Sequence, residues 1–118
     1  MPQKDSIGQK GEEIAKEFLI RKGHEILFVN YRFERKEVDI ISLFKNILVF
    51  TEVKTRSSFQ RGFPEEAVSN VKQQSIKMVA DQFLLENPQY SMVRFDIISV
   101  VIYQNKLMEI KHFEDAFY

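Results

Sequence analysis

The sequence predicts an α/β protein on a mixed sheet, with its elements in the order α-β-β-β-α-β-β. Three observations carry this. Apolar residues recur at helical spacing in two stretches, one near the start and one past the middle. Five other stretches are short and rich in β-branched and aromatic residues. Turn-forming residues such as Gly23, Lys45-Asn46 and Asn87-Pro88 fall between them.

The first helix opens at Ser6 and Gln9, which have capping-box spacing, and runs to about Lys22. Gly23 is placed to stop it. Ile14, Ala15, Phe18 and Leu19 form its apolar stripe. Gly8 and Gly11 stand out in its early turns, since a helical glycine costs about 1 kcal/mol relative to alanine. Either the helix start is frayed there, or a neighbour or ligand comes close to the backbone. Strands follow at Glu25 to Phe33, Glu37 to Phe44 and Ile47 to Thr55, the last two joined by a turn at Lys45-Asn46. The polar segment Arg56 to Phe63 reads as a loop. Pro64 then opens a long helix with Glu65 and Glu66 at its positive end. Val68, Val71, Ser75, Val79 and Phe83 are its expected buried stripe, and Asn87-Pro88 ends it. Arg94 to Tyr103 and Lys106 to Phe113 form a closing hairpin.

A chain of 118 residues suits a single domain spanning 1–118. At 44% hydrophobic, with eleven phenylalanines, it can bury a core. The absence of cysteine excludes disulfides and thiolate metal sites, and fits a cytoplasmic protein. No apolar run approaches the roughly 20 residues of a membrane span. Residues 1–6 lack the apolar stretch of a signal peptide. Seventeen basic residues balance seventeen acidic ones, which argues against a protein that coats nucleic acid. The basic residues are clustered, however: Arg32, Arg35 and Lys36 in one place, and Lys54, Arg56 and Arg61 in another.

The chemistry lies between Glu37 and Lys54. If the turn centres on Lys45-Asn46, each facing pair of residue numbers has the same sum as Phe44 and Ile47. Asp39 then faces Glu52, and Glu37 faces Lys54, all on one side of the hairpin. The same side carries Ile41, Leu43, Leu48 and Phe50, so the carboxylates end an apolar strip. Like charges directly opposed across strands are destabilising. A shared proton, a cation such as Lys54, or a divalent metal would compensate. Hard oxygen donors suit Mg²⁺ or Mn²⁺. The competing reading is a mixed-charge surface hairpin in which Lys54 bridges the acids.

Several stretches together resemble the YraN-like family of small bacterial proteins. They are Gly8-x-x-Gly11-Glu12-x-x-Ala15-x-x-Phe18-Leu19, Asn30-Tyr31-Arg32, Glu37-Val38-Asp39-Ile40-Ile41 and Val49 to Arg56. Gly62-Phe63-Pro64-x-Glu66-Ala67-Val68, Lys72, Arg94-Phe95-Asp96 and His112-x-x-x-Ala116-Phe117 continue the match. That resemblance implies a restriction-endonuclease-like fold, with a wider likeness to PD-(D/E)XK nucleases and archaeal Holliday-junction resolvases. By this likeness Asp39 is the motif aspartate, preceded here by Val38 rather than proline, and Glu52 and Lys54 are the E-x-K pair.

The resemblance also marks Glu12. At about 100° per residue Glu12 sits at the edge of the first helix's apolar stripe, while Glu13 points to solvent. The expected protein is a Mg²⁺- or Mn²⁺-dependent endonuclease acting on nucleic acid, DNA first. Asp39, Glu52 and Glu12 would hold the metal, and Lys54 would complete the catalytic group. Arg56, Arg61, Arg32 and Lys72 would contact phosphate, against a reading of them as solvated side chains. His24 and His112 are expected to ligate nothing, with His112 in a packing or hydrogen-bonding role. One rival is a non-catalytic nucleic-acid-binding module. Another is an interaction domain using Phe59, Phe63 and the segment Phe113 to Tyr118 to bind a second copy or another protein.

Overall fold

The computed structural model describes residues 6–57 and 68–118. Its elements are α1 (Ser6–Arg21), β1 (Glu25–Phe33), β2 (Lys36–Phe44), β3 (Ile47–Arg56), α2 (Asn70–Glu86), β4 (Met92–Tyr103) and β5 (Lys106–Phe117). This is the predicted order. The five strands form one sheet in sequential order. β3 and β4 run parallel, joined across α2, and the other neighbours are antiparallel.

The two helices cover opposite faces. Leu19, Ala15, Ile40, Ile98, Val100 and Ile102 pack together on the α1 side. Val38, Ile41, Leu48, Phe50, Ile76, Val79, Phe83 and Ile97 form the core under α2. Phe50 and Phe83 meet edge-on there, with centroids 5.9 Å apart at 84°. No helix among the described residues is long and apolar enough to cross a membrane.

Local chemistry accounts for the boundaries. Gly23 takes φ +101°, and His24 N–H closes back on Leu19 O at 2.9 Å, so the chain leaves α1 through a Schellman turn. Lys45 and Asn46 both take positive φ, as a two-residue hairpin turn requires. Gly11 answers the question its position raised. A Cβ there would lie 2.7 Å from Thr55 Cγ2, so α1 rests directly on β3 at that point.

Four expectations are corrected. Ser6 lies inside α1 instead of capping it. The second helix begins at Asn70, not Pro64. Val68 and Ser69 are not helical, and the Ser69 hydroxyl accepts the Lys72 N–H as N-cap. Pro64, Glu65 and Glu66 fall outside the described residues. Val71 faces solvent, 82% exposed, because the buried stripe runs through Ile76, Val79, Ala80 and Phe83, on the far side of the helix from it. β5 continues past Phe113 to Phe117, which stacks on Phe95 with centroids 5.2 Å apart. The aromatic end of the chain is therefore part of the sheet and its core, with Tyr118 its one exposed aromatic residue.

Candidate active site

The hairpin register is the predicted one. Phe44 pairs with Ile47, and the ladder continues to Ile40 opposite Thr51. There the two strands part. Asp39 Oδ2 accepts the Val53 backbone N–H at 2.8 Å, so a side chain takes over where the ladder stops. Beyond this point Val38 joins Ile41 in the α2-side core, breaking the strict alternation of β2. One expected pair is therefore lost. Glu37 pairs with Arg32 of β1 in place of Lys54, with an ion pair at 4.0 Å, and Lys54 lies beside Ser99 of β4.

Asp39 and Glu52 are 7% and 6% exposed, at the floor of a cleft of about 600 Å³. Glu12 of α1 lines the same cleft and is also buried, because Gly11 lets that turn of the helix sit down on β3. Lys54, Lys72, Arg32, Arg35 and Lys36 stand around it. Lys72 comes from α2. Its Nζ lies 3.6 Å from Glu52 Oε2 and donates to Glu37 O at 3.3 Å. Glu52 Oε1 is buried and finds no hydrogen-bond partner among the described residues.

Burial pushes the Glu52 carboxyl up to about 9, helped by the charge of Asp39 and a hydrogen bond with it. Lys72 and Lys54 pull the other way and do not prevail. Holding a buried Glu52 beside the Asp39 charge is unfavourable unless Glu52 keeps its proton or a further cation joins them.

The donors are all hard oxygens, and one of them, Glu52 Oε1, is buried without a hydrogen-bond partner among the described residues. Among the described residues no three His, Cys, Asp or Glu side chains form a group able to hold a metal alone, and Asp39, Glu52 and Glu12 share one cleft. The site fits Mg²⁺ or Mn²⁺ in the manner common for Mg²⁺, with one or two carboxylates and the remaining positions left to water and phosphate oxygens.

Arg56 is the last residue of β3 and does not line the cleft. Arg61 lies outside the described residues, as do Phe59 and Phe63. Arg35, in the β1–β2 turn, and Lys36, which opens β2, line the cleft. The sequence showed them as a basic cluster with Arg32, but gave no sign that this turn reaches the carboxylates.

The structure also assembles a group the sequence kept apart. Asp96 is fully buried and accepts from Arg94 Nε and Nη2 at 2.9 Å each and from the Asp115 N–H at 3.0 Å, with His112 Nε2 at 2.7 Å. Lys22 Nζ lies 2.8 Å from His112 Nδ1. His24, hydrogen-bonded to Ser42 and stacked on Phe44, has its ring centroid 6.1 Å from that of His112. Burial would raise the Asp96 pKa, but its hydrogen bonds to His112 and Arg94 outweigh this and hold it below the usual range.

A five-stranded mixed sheet with a helix on each face and a buried carboxylate pair in a cation-rimmed cleft defines a small α/β protein. The chain belongs to the Uncharacterised protein family UPF0102, whose sequence model matches residues 11–100. It is 46% identical over 115 residues to a UPF0102 protein of Natranaerobius thermophilus, covering 95% of this chain and 97% of the relative. A UPF0102 protein of Flavobacterium psychrophilum is 42% identical over 118 residues, covering 100% and 98%. Among solved structures, Pyrococcus furiosus SfsA in complex with Ca²⁺ aligns with a TM-score of 0.40 at 16% identity. That alignment covers 91% of this chain and 62% of SfsA, less than two thirds of its length.

Proposed function

We propose that the cleft is the hydrolytic centre of a small metal-dependent nuclease with a restriction-endonuclease-like fold, acting on nucleic-acid phosphodiesters and on DNA first. The observation that carries this is the buried Asp39–Glu52 pair, with an orphaned Glu52 oxygen, between Lys54 and Lys72 in one cleft. Mg²⁺ or Mn²⁺ held there would supply positive charge to a phosphate and an activated water.

The chain's own residues divide the remaining work. Asp39 is fixed by the Val53 N–H and presents its carboxylate to the cleft. Lys72 restrains one oxygen of Glu52, leaving Oε1 for the cation. Glu12 faces the cleft from α1 and acts through water. Lys54, two residues after Glu52 and on the same face of β3, stabilises charge growing on the phosphate or orients the attacking water. Arg32, Arg35 and Lys36 seat neighbouring phosphates, for which arginine offers a planar fork.

Calorimetric titration of Mn²⁺ and Mg²⁺ into wild type and the Asp39→Ala/Glu52→Ala double variant tests this, followed by cleavage assays on linear and branched DNA and on RNA. The expected result is binding at millimolar concentration or tighter, and cleavage, both lost in the variant. A folded wild type that binds neither metal would overturn the reading. A second reading, a nucleic-acid-binding module without hydrolysis, draws on the five cations around the cleft. It requires that nucleic-acid binding survive loss of both carboxylates.

A further inference from the structure

α2 buries one face and leaves the other bare. Ile76, Val79, Ala80 and Phe83 enter the core. Val71, Met78 and Leu85, spaced seven residues apart, are 82%, 50% and 78% exposed. At a rise of 1.5 Å per residue this row is about 21 Å long. Single exposed apolar residues need no explanation, but a row at heptad spacing along one helix is a seam. Its first half borders a groove of about 440 Å³ lined by Lys36, Asn70, Val71, Gln74, Ser75 and Met78.

The charges along α2 say what fits. The helix has no acidic residue in its first turn and no basic residue in its last. Its N-terminal end, the positive end of the helix dipole, also carries Lys72 and lies beside Lys36. Its C-terminal end, the negative end of the helix dipole, follows Asp81 and carries Glu86. The sequence thus amplifies the helix dipole at both ends instead of offsetting it. A second α2 laid antiparallel along the seam offsets both ends at once, whereas a parallel one sets like ends together. The apolar row also suits an antiparallel partner. Met78 falls midway between Val71 and Leu85, so a two-fold axis there puts Met78 against itself and Val71 against the partner's Leu85. That self-complementarity is what an isologous contact requires.

We propose that the outer face of α2 is the contact of a symmetric, antiparallel homodimer of this chain. Lys36 and Ser75 line both the groove and the carboxylate cleft, so the partner's acidic helix end docks beside the cleft rim. One helix pair is a small interface, and the association is accordingly weak, in the micromolar range. This stands whether or not the cleft hydrolyses anything.

Sedimentation equilibrium of the full chain, from low micromolar to several hundred micromolar, should show a monomer–dimer equilibrium. Met78→Glu should remove it and leave the circular dichroism spectrum unchanged, since residue 78 is half exposed. Because the chain has no cysteine, orientation can be read by cross-linking. Met78→Cys should oxidise to a disulfide dimer. Val71→Cys should cross-link to Leu85→Cys in a mixture, but not to itself. A strictly monomeric wild type would overturn the proposal and leave the seam to a different protein. A dimer that survives Met78→Glu, or Val71→Cys pairing with itself, would overturn it equally.

Discussion

Asp39 Oδ2 lies 2.8 Å from the backbone nitrogen of Val53, so a carboxylate on β2 terminates the β2–β3 ladder and the same group faces the cleft. Removing it does two separable kinds of harm. Asp39→Ala leaves a part-buried backbone N–H without its acceptor, at a cost of about 1 kcal/mol. Asp39→Asn keeps an acceptor oxygen there but loses the charge. We expect Asp39→Asn to unfold in urea close to wild type while binding Mn²⁺ at least about tenfold more weakly, a difference of about 1.4 kcal/mol. Equal urea midpoints for Ala and Asn would show that the Val53 bond contributes nothing.

Glu52 gives a stability profile with a defined sign. Its carboxyl is held up to about 9 in the folded chain, against an ordinary 4.5. The folded form therefore keeps a proton that the unfolded chain releases. The stability this provides is complete below the ordinary glutamate range and is lost as pH rises toward 9. In chelator, the melting temperature of wild type should fall relative to Glu52→Gln across that window, and the two should converge at acid pH. Added Mn²⁺ should then raise the wild-type value and leave the glutamine variant unmoved. Parallel profiles in chelator would remove the case for a proton held on Glu52.

The hairpin was legible in the sequence because its turn is short. With Lys45 and Asn46 at the bend, side-chain alternation alone puts Asp39 and Glu52 together at the end of an apolar strip. What alternation could not reveal is the parting of the strands at Asp39, which sends Glu37 to Arg32 and leaves Lys54 beside Ser99. Nor could the helical period fix where α2 begins. The signal for that is Ser69, an N-cap three residues before Lys72, and it competes with Pro64 as an equally good start. The contribution of Arg35 and Lys36 to the cleft depends on how the sheet twists, which no local pattern encodes.

Gly11 is where helix position and site geometry meet. Alanine at this position would gain about 1 kcal/mol of helix propensity in isolation. Here its methyl would collide with the Thr55 side chain, so α1 must lift from β3 and carry Glu12 away from the cleft. Gly11→Ala should therefore lose about 1–3 kcal/mol overall. Thr55→Ala in the same chain removes two of the three colliding atoms and should restore part of that loss. Urea midpoints of the two single variants and the double variant measure the coupling, and simple additivity would exclude the close contact.

The Asp96 network makes the last prediction, and it concerns acid stability. No spacing rule links Lys22, His24, Arg94, Asp96 and His112, because β4 must first pair with β5 and the end of α1 must fold over both. Once assembled, two groups titrate with the same sign. His24 is lowered from 6.5 to about 4, mainly by burial and then by the charge of His112. Asp96 sits below its ordinary range. In each case the unfolded chain takes up a proton at a higher pH than the folded one. Stability is thus complete above the ordinary value and is lost as pH falls through the folded one. His24 acts first, between 6.5 and about 4, and Asp96 follows at lower pH. Asp96→Ala strands Arg94, His112 and a backbone N–H, and should cost about 3–5 kcal/mol at neutral pH. His24→Gln should cost less there and flatten the upper part of the acid slope. Urea midpoints from pH 8 downward would show it, and an unchanged slope in His24→Gln would assign that part of the acid transition to other groups.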